Sequence, residues 1–160
     1  MKLRLIFMLA LTVGALAVPA SSGAGVVRFT SCVASGSTTT TAGPLQFSIG
    51  WGTSQYGNMA KFLRSQRVEW TFAVNGGTPT TTSTTFGDTT LWTTPVQNTL
   101  PDGRVLWQTR FTSPVVATLV SGDTVTASLS VYSNAKVYDD DRAVYGPGEI
   151  FTIPCTITAQ

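Results

Sequence analysis

Gln66–Asn75, with the sequence Q-R-V-E-W-T-F-A-V-N, decides the fold class of this chain. Its apolar side chains occupy every second position: Val68, Trp70, Phe72 and Val74. The positions between them are mostly polar, and successive side chains of a strand point to opposite faces of the sheet. The stretch therefore predicts a strand half-buried in an antiparallel sheet, with Trp70 as its largest core residue.

The same alternation recurs in three further segments: Leu45–Trp51, Val125–Val131 and Phe151–Ile157. Pro101-Asp102-Gly103 is a hairpin turn signal, and Pro154 predicts that the last strand is bulged or lies at an edge. Only Gly52–Ser65 is not obviously β, and Met59, Phe62 and Leu63 there indicate one or two helical turns. Eight or nine short strands predict a single-domain, all-β antiparallel sandwich, either immunoglobulin-like or jelly-roll-like.

Two segments are rich in small hydroxylated residues. Ser35–Gly43 is typical of a Ser/Thr/Gly linker. Ten of the seventeen residues of Thr78–Thr94 are threonine, which suits a bare linker. Phe86, Leu91 and Trp92 favour instead a loop and a short strand lying on the domain.

Residues 1–24 are predicted to be a secretory signal peptide, cleaved after Ala20 or Ala24, with the sandwich domain at 25–160. Lys2 and Arg4 precede the apolar run Leu5–Val18, and small residues follow it. The run is too short for an ordinary membrane span and is followed by a cleavage-type sequence. We therefore expect a secreted, extracellular protein with no membrane span after cleavage.

Charge gives no indication of a polyanionic partner. The chain has ten basic and eight acidic residues, and loss of Lys2 and Arg4 leaves eight of each. A formal net charge of zero, with no basic patch in the sequence, argues against nucleic acid and anionic lipid as partners.

The two cysteines, Cys32 and Cys155, lie near opposite ends of the predicted mature chain. In an oxidising compartment they predict one disulfide between the first and last strands. Such a bond closes a loop of 123 residues (155 − 32), worth roughly 4–5 kcal/mol at most in the chain-entropy model. Val26–Ala34 is the predicted first strand, but Phe29 and Cys32 fall on opposite parities, so a bulge or an outward cysteine is expected there.

The chain contains no histidine. That excludes Ser-His-Asp and Cys-His catalysis and imidazole zinc sites. A carboxylate-pair hydrolase is the enzyme class kept as an alternative, with Glu69 and Glu149 as the only glutamates. Glu69 lies on the solvent-facing parity of its strand, where charged residues normally occur, so we expect no enzyme.

Asp139, Asp140 and Asp141 form the densest charge in the sequence. Adjacent carboxylates repel one another, and water, Arg142 or a cation can offset the repulsion. Oxygen ligands suit Ca²⁺, but calcium loops usually space their ligands at alternate positions. A solvated loop is the favoured interpretation, a Ca²⁺ site is the alternative, and no other cofactor is expected.

Aromatic residues suggest a binding surface. Trp51, Trp70 and Trp107 fall on apolar parities and are expected in the core. Five others fall in loops or on outward parities: Tyr56, Trp92, Tyr132, Tyr138 and Tyr145. Exposed flat rings can hold sugars or protein partners, so Trp92, Tyr56, Tyr138 and Tyr145 are the predicted binding residues.

These observations favour a secreted, non-catalytic binding module that recognises an extracellular polysaccharide or protein surface. The alternative is a structural subunit of an extracellular assembly, joined through its edge strands. The third interpretation is the carboxylate-pair hydrolase.

Overall fold

The structure, a computed structural model, describes residues 25–139 and 143–160. The predicted signal peptide, residues 1–24, lies outside them. The strands in the described part are β1 (Gly25–Arg28), β2 (Ser37–Thr40), β3 (Gly43–Thr53), β4 (Gln66–Val74), β5 (Thr80–Ser83), β6 (Val96–Thr99), β7 (Val105–Thr112), β8 (Ala117–Leu119), β9 (Thr124–Ser133), β10 (Val137–Tyr138), β11 (Val144–Tyr145) and β12 (Gly148–Ala159). The helices are α1 (Cys32–Ser35) and α2 (Tyr56–Ser65).

Ten of these strands form two five-stranded sheets packed as a sandwich, which confirms the predicted fold class, and β10 and β11 form a separate two-stranded sheet. The first sheet has the order β1-β3-β7-β6, with β8 also paired to β3. The second sheet has the order β2-β12-β9-β4-β5. One hydrophobic core lies between them, because the apolar positions of both sheets face inward.

The alternating segments fold as the pattern predicts. In β9 every second residue from Val125 to Val131 is buried, and in β3 the same holds from Leu45 to Trp51. Trp70 in β4 is buried as expected, although Phe72 and Val74 are only partly buried toward the end of the strand. The hairpin turn at Pro101–Gly103 joins β6 to β7, and Gly103 supplies the positive φ that it requires.

The strands at two sheet edges differ from the expectation. Ser37–Thr40, which suggests a linker, is strand β2, and it runs parallel to β12. β1 likewise runs parallel to β3. The sequence pattern missed β2 because a short strand exposed at an edge needs no apolar face, and hydroxylated residues satisfy it.

The disulfide between Cys32 and Cys155 is present, with Cα atoms 5.4 Å apart. The prediction that Cys32 lies on the first strand is wrong. β1 ends at Arg28, and a 3-10 turn leads into α1, which ends at Gly36 in the left-handed conformation. The helical turn buries both Phe29 and Cys32, and so resolves their parity conflict without a bulge.

The last strand is both bulged and partly an edge strand, as Pro154 predicts. The pairing of β12 with β9 shifts register between Glu149 and Phe151. On its other side, β2 covers only Thr156–Ala159. Pro154 therefore lies where β12 has no second neighbouring strand among the described residues, so its missing N–H leaves no strand pairing incomplete there.

The predicted helical turns are the longer helix α2, which buries Met59 and Phe62. It contacts β10, and the Asn134 N–H donates to the Ser65 carbonyl at 3.0 Å, so α2 and the β10–β11 hairpin share one end of the sandwich. We call this the helix end. No helix in the described ranges is long and apolar enough to cross a membrane.

Candidate functional site

Trp92 does not present an exposed ring, so the structure overturns the premise on which it was chosen. Its side chain is 9% exposed. Its ring centroid lies 5.2 Å from that of Phe62 and 5.7 Å from that of Phe111. An isolated bridge to Phe111 fixes the register and turns Trp92 inward, leaving Leu91 only partly buried. Trp92 is therefore a core residue.

The three predicted tyrosines surround the helix end without forming one platform. Tyr56 is 54% exposed and packs against Trp107 at 4.8 Å between ring centroids. Trp107, predicted in the core, is only partly buried. Tyr145 packs on Trp51 at 5.9 Å, whereas Tyr138 lies under the ammonium of Lys61.

Asp139 has a structural role in its loop. It is 2% exposed, and its carboxylate accepts from the Ala143 N–H at 2.9 Å and from the Tyr145 hydroxyl at 2.8 Å. Asp140 and Asp141 lie outside the described residues. Among residues 25–139 and 143–160, no three potential metal ligands of the Asp, Glu, Cys and His types lie together. The Ca²⁺ interpretation stays a prediction.

The outward side of the second sheet is a continuous array of hydroxyl groups, which we call the hydroxyl face. Its members share the outward parity of five paired strands. They are Ser37, Thr39, Thr71, Thr81, Ser83, Thr124, Thr126, Ser128, Ser130, Thr152, Thr156 and Thr158. Pro154 and Ala73 complete its central rows, and neither carries a charge.

Cross-strand hydrogen bonds tie this array together. The Thr71 and Thr81 hydroxyls bond to each other at 2.8 Å, and those of Ser130 and Thr152 at 2.7 Å. Neighbouring strands are about 4.8 Å apart and alternate residues about 6.6 Å apart, so the hydroxyls form a regular grid on a twisted surface. Threonine is stiff at χ1, which keeps most of these groups in fixed directions.

An arginine–aromatic cluster lies at the end of the hydroxyl face nearest α2. The Arg67 guanidinium lies 4.4 Å from the Tyr132 ring centroid and 5.5 Å from that of Phe86. It also lies 3.7 Å from the Glu69 carboxylate. Glu149 pairs with Tyr132 across the strands, and Glu69 pairs with Ser130, two residues before Tyr132 on the same strand. The cluster combines flat rings with polar groups on one exposed face.

Sequence reasoning placed Tyr132 and Glu69 outward but missed Arg67 and Phe86. The available signal was that Arg67 shares the parity of Glu69. What it could not show is the pairing of Arg67 with Tyr132, which lies 65 residues further along the chain. Phe86 comes from a loop, where no periodicity indicates a direction.

Comparisons with protein-family models, with curated proteins and with solved structures find no match for this chain. Among the described residues, the hydroxyl face with the arginine–aromatic cluster is the largest surface of uniform chemistry.

Proposed function

We propose that the protein is a secreted, non-catalytic module that binds a neutral polysaccharide chain across the hydroxyl face. The observation that carries the proposal is the array of twelve hydroxyl groups on five strands, with the charged side chains of this face confined to one end. The polysaccharide would lie along the hydroxyl groups and end against the arginine–aromatic cluster.

The chemistry of the face suits a sugar polymer. A hydroxyl group can both donate and accept a hydrogen bond. Ser and Thr can therefore pair with any sugar hydroxyl, whichever of the two groups is the donor. Threonines held by the sheet and by bonds such as Thr71–Thr81 lose little conformational freedom on binding. A neutral ligand on a neutral surface also avoids the cost of removing water from charged groups.

The arginine–aromatic cluster supplies what the hydroxyls lack. Phe86 is among the exposed large apolar side chains, and Tyr132 is half-buried beside Arg67. The apolar face of a sugar ring packs on such rings, while Glu69 and Arg67 offer a directional acceptor and donor. Because a five-stranded sheet twists, the surface fits a flexible chain better than a flat crystalline lattice.

The test places a charge in the centre of the face. Thr126→Glu and Thr156→Glu alter exposed positions and should weaken binding by at least about tenfold, since each buries an unpaired carboxylate in the complex. Binding is measured by depletion on insoluble cellulose, chitin, xylan and β-glucan. Thr118→Glu, an exposed threonine of β8 in the first sheet, is the matched control and should bind as the wild type does.

Two outcomes would contradict the proposal: a wild type that binds none of these glycans, or equal losses in the control and the face variants. Melting temperatures of all variants should match, because every substituted position is exposed. The hydrolase alternative predicts instead that the glycans are cleaved and that Glu69→Gln or Glu149→Gln abolishes the cleavage.

Strand β5 supports a second candidate, a subunit that assembles through its edges. Thr80–Ser83 lies at the edge of the second sheet, is exposed throughout and carries no charge, although edge strands are usually blunted by charge or proline. This function predicts a concentration-dependent size in light scattering that Thr82→Lys abolishes and Thr126→Glu leaves unchanged.

A further inference from the structure

The first sheet has a charge distribution unlike that of the second. Its strands β1, β3, β6, β7 and β8 contain no aspartate or glutamate. They contain two arginines, Arg28 on β1 and Arg110 on β7. The sheet therefore carries two positive charges and no compensating carboxylate of its own.

The two arginines lie on either side of β3, on the outward face. Arg28 pairs with Ser48 of β3, and Arg110 pairs with Gly50. Residues 47, 49 and 51 of β3 are buried in the core, so the Ser48 and Gly50 positions and their partners face outward. Both arginines are exposed, and among the described residues neither guanidinium makes a salt bridge or a hydrogen bond.

The two charges act on each other. Partial burial, and then the nearby charge of Arg28, lower the pKa of Arg110 from its usual value. Arg110 nevertheless keeps its charge at neutral pH, since an arginine deprotonates only in strong base. An anion between them would replace this repulsion by two attractions.

Ser48 lies on β3, between the two strands that carry these arginines, and its hydroxyl is unused. The residue is 1% exposed, and its Oγ has no hydrogen-bond partner among the described residues. A buried hydroxyl without a partner is costly, so a ligand oxygen that accepts from it would remove that cost. Ser48 pairs with Arg28 on one side and with Thr112 on the other.

Gly50 leaves the surface beside Arg110 without a side chain. A Cβ placed there would meet nothing nearer than the Thr109 carbonyl at 3.7 Å, an ordinary contact, so packing does not require glycine. A shallow groove of about 470 Å³ adjoins the site through Thr112 and Gln46. The groove leaves room for a larger molecule that carries a charged group.

We infer that Arg28, Arg110 and Ser48 form a binding site for one tetrahedral oxyanion, a phosphate or a sulfate group. Guanidinium forks match the oxygens of such groups, and charge-assisted hydrogen bonds to them are strong. The Ser48 hydroxyl would donate to a third oxygen. This site lies on the opposite side of the sandwich from the hydroxyl face and does not depend on the function proposed for that face.

The experiment titrates the intact protein with inorganic phosphate and with sulfate at low ionic strength, followed by calorimetry and by backbone amide shifts. We expect saturable binding of one ion with shifts at Ser48 and Gly50. Arg28→Gln and Arg110→Gln should each weaken binding about tenfold, and Ser48→Ala should weaken it less. Arg64→Gln removes an equal charge from exposed α2 and should leave binding unchanged.

The comparison of the wild type with the arginine variants is needed because phosphate and sulfate also stabilise folded proteins in general, through exclusion from their surfaces. Equal responses of the wild type and the arginine variants would show only this general effect and would overturn the site. Gly50→Asp supplies an internal carboxylate beside Arg110, and it should abolish phosphate binding while raising the melting temperature at low salt. A Gly50→Asp variant that binds phosphate like the wild type would equally contradict the inference.

A last arm distinguishes the sources of the anion. Glucose 6-phosphate and glucose 6-sulfate carry the same groups on a sugar that the groove can contact. Tighter binding than the inorganic ions identifies an ester as the ligand, whereas equal binding identifies the free ion. Failure of all these anions would remove the oxyanion site and leave the polysaccharide proposal untouched.

Discussion

The inner and outer faces of the second sheet differ in how far their side chains are buried. The inward residues of β9, from Val125 to Val131, are all buried in the core. On the same strand Thr124 and Thr126 are exposed and touch solvent. Substitutions at exposed positions usually change stability by less than about 0.5 kcal/mol. The inner face therefore determines the stability, while the outer face accepts substitutions at little cost in stability.

The largest test of this contrast is Trp70→Ala. Trp70 is buried and lies 5.5 Å from the Phe111 ring, in contact with the opposite sheet. Its truncation should lower the free energy of unfolding by about 3–5 kcal/mol, measured by denaturant titration. Thr126→Ala, on the outward parity of the neighbouring strand, should stay within about 0.5 kcal/mol.

Ser130 shows where the contrast is less sharp. It lies on the outward parity but is 8% exposed, and its hydroxyl bonds to that of Thr152. Ser130→Ala should therefore cost about 1 kcal/mol, between the other two changes. Equal losses for Trp70→Ala and Thr126→Ala would contradict the assignment of the two faces.

After Trp70→Ala, loss of the disulfide should have the largest effect on stability. It joins α1 to β12, and thus pins the β12 side of the second sheet across 123 residues. Replacing Cys32 and Cys155 together by alanine should cost about 2–5 kcal/mol of stability. Mass analysis of the native protein with and without reduction checks the bond, and an alanine variant as stable as the oxidised wild type would contradict the prediction.

The smallest effect concerns a charged turn that precedes β9. Asn75 Nδ2 donates to the Asp123 carboxylate at 2.8 Å, and so does the Val120 N–H. These two bonds, the Asn75 bond first, lower the pKa of Asp123 below its usual value. A carboxyl whose pKa is lower in the folded state stabilises the protein above its unfolded pKa of about 3.9. That contribution is lost as the pH falls through the lowered value.

Asp123→Asn should remove this contribution to the pH dependence of the free energy of unfolding. The dependence is measured by urea titrations between about pH 5 and pH 2. Thr126→Ala, which changes no charge, should keep the wild-type slope. If the free energy of unfolding of Asp123→Asn depends on pH as that of the wild type does, the turn makes no such contribution. Exposed polar groups would then affect the stability even less than the comparison of the two faces implies.

The sequence predicted the interior of the sandwich well because alternation is a local property. In Leu45–Trp51 and Val125–Val131, each side chain points to the face opposite to that of its sequence neighbours. The disulfide was predictable too, since only two cysteines exist to pair. The edge strands β2 and β5 were harder, because polar Ser and Thr runs have no face that must be buried.

What only the tertiary structure decided is which distant residues meet. Leu91 and Trp92 are adjacent apolar residues, and only the bridge to Phe111 decides which of them is buried. Arg67 meets Tyr132, and Arg28 and Arg110 flank β3 at positions two residues apart, through pairings between segments 20 to 65 residues apart. Parity follows from the bonds between consecutive residues, whereas register follows from the free energy of the whole packed core. The composition of each surface could therefore be read from the chain, but its geometry required the fold.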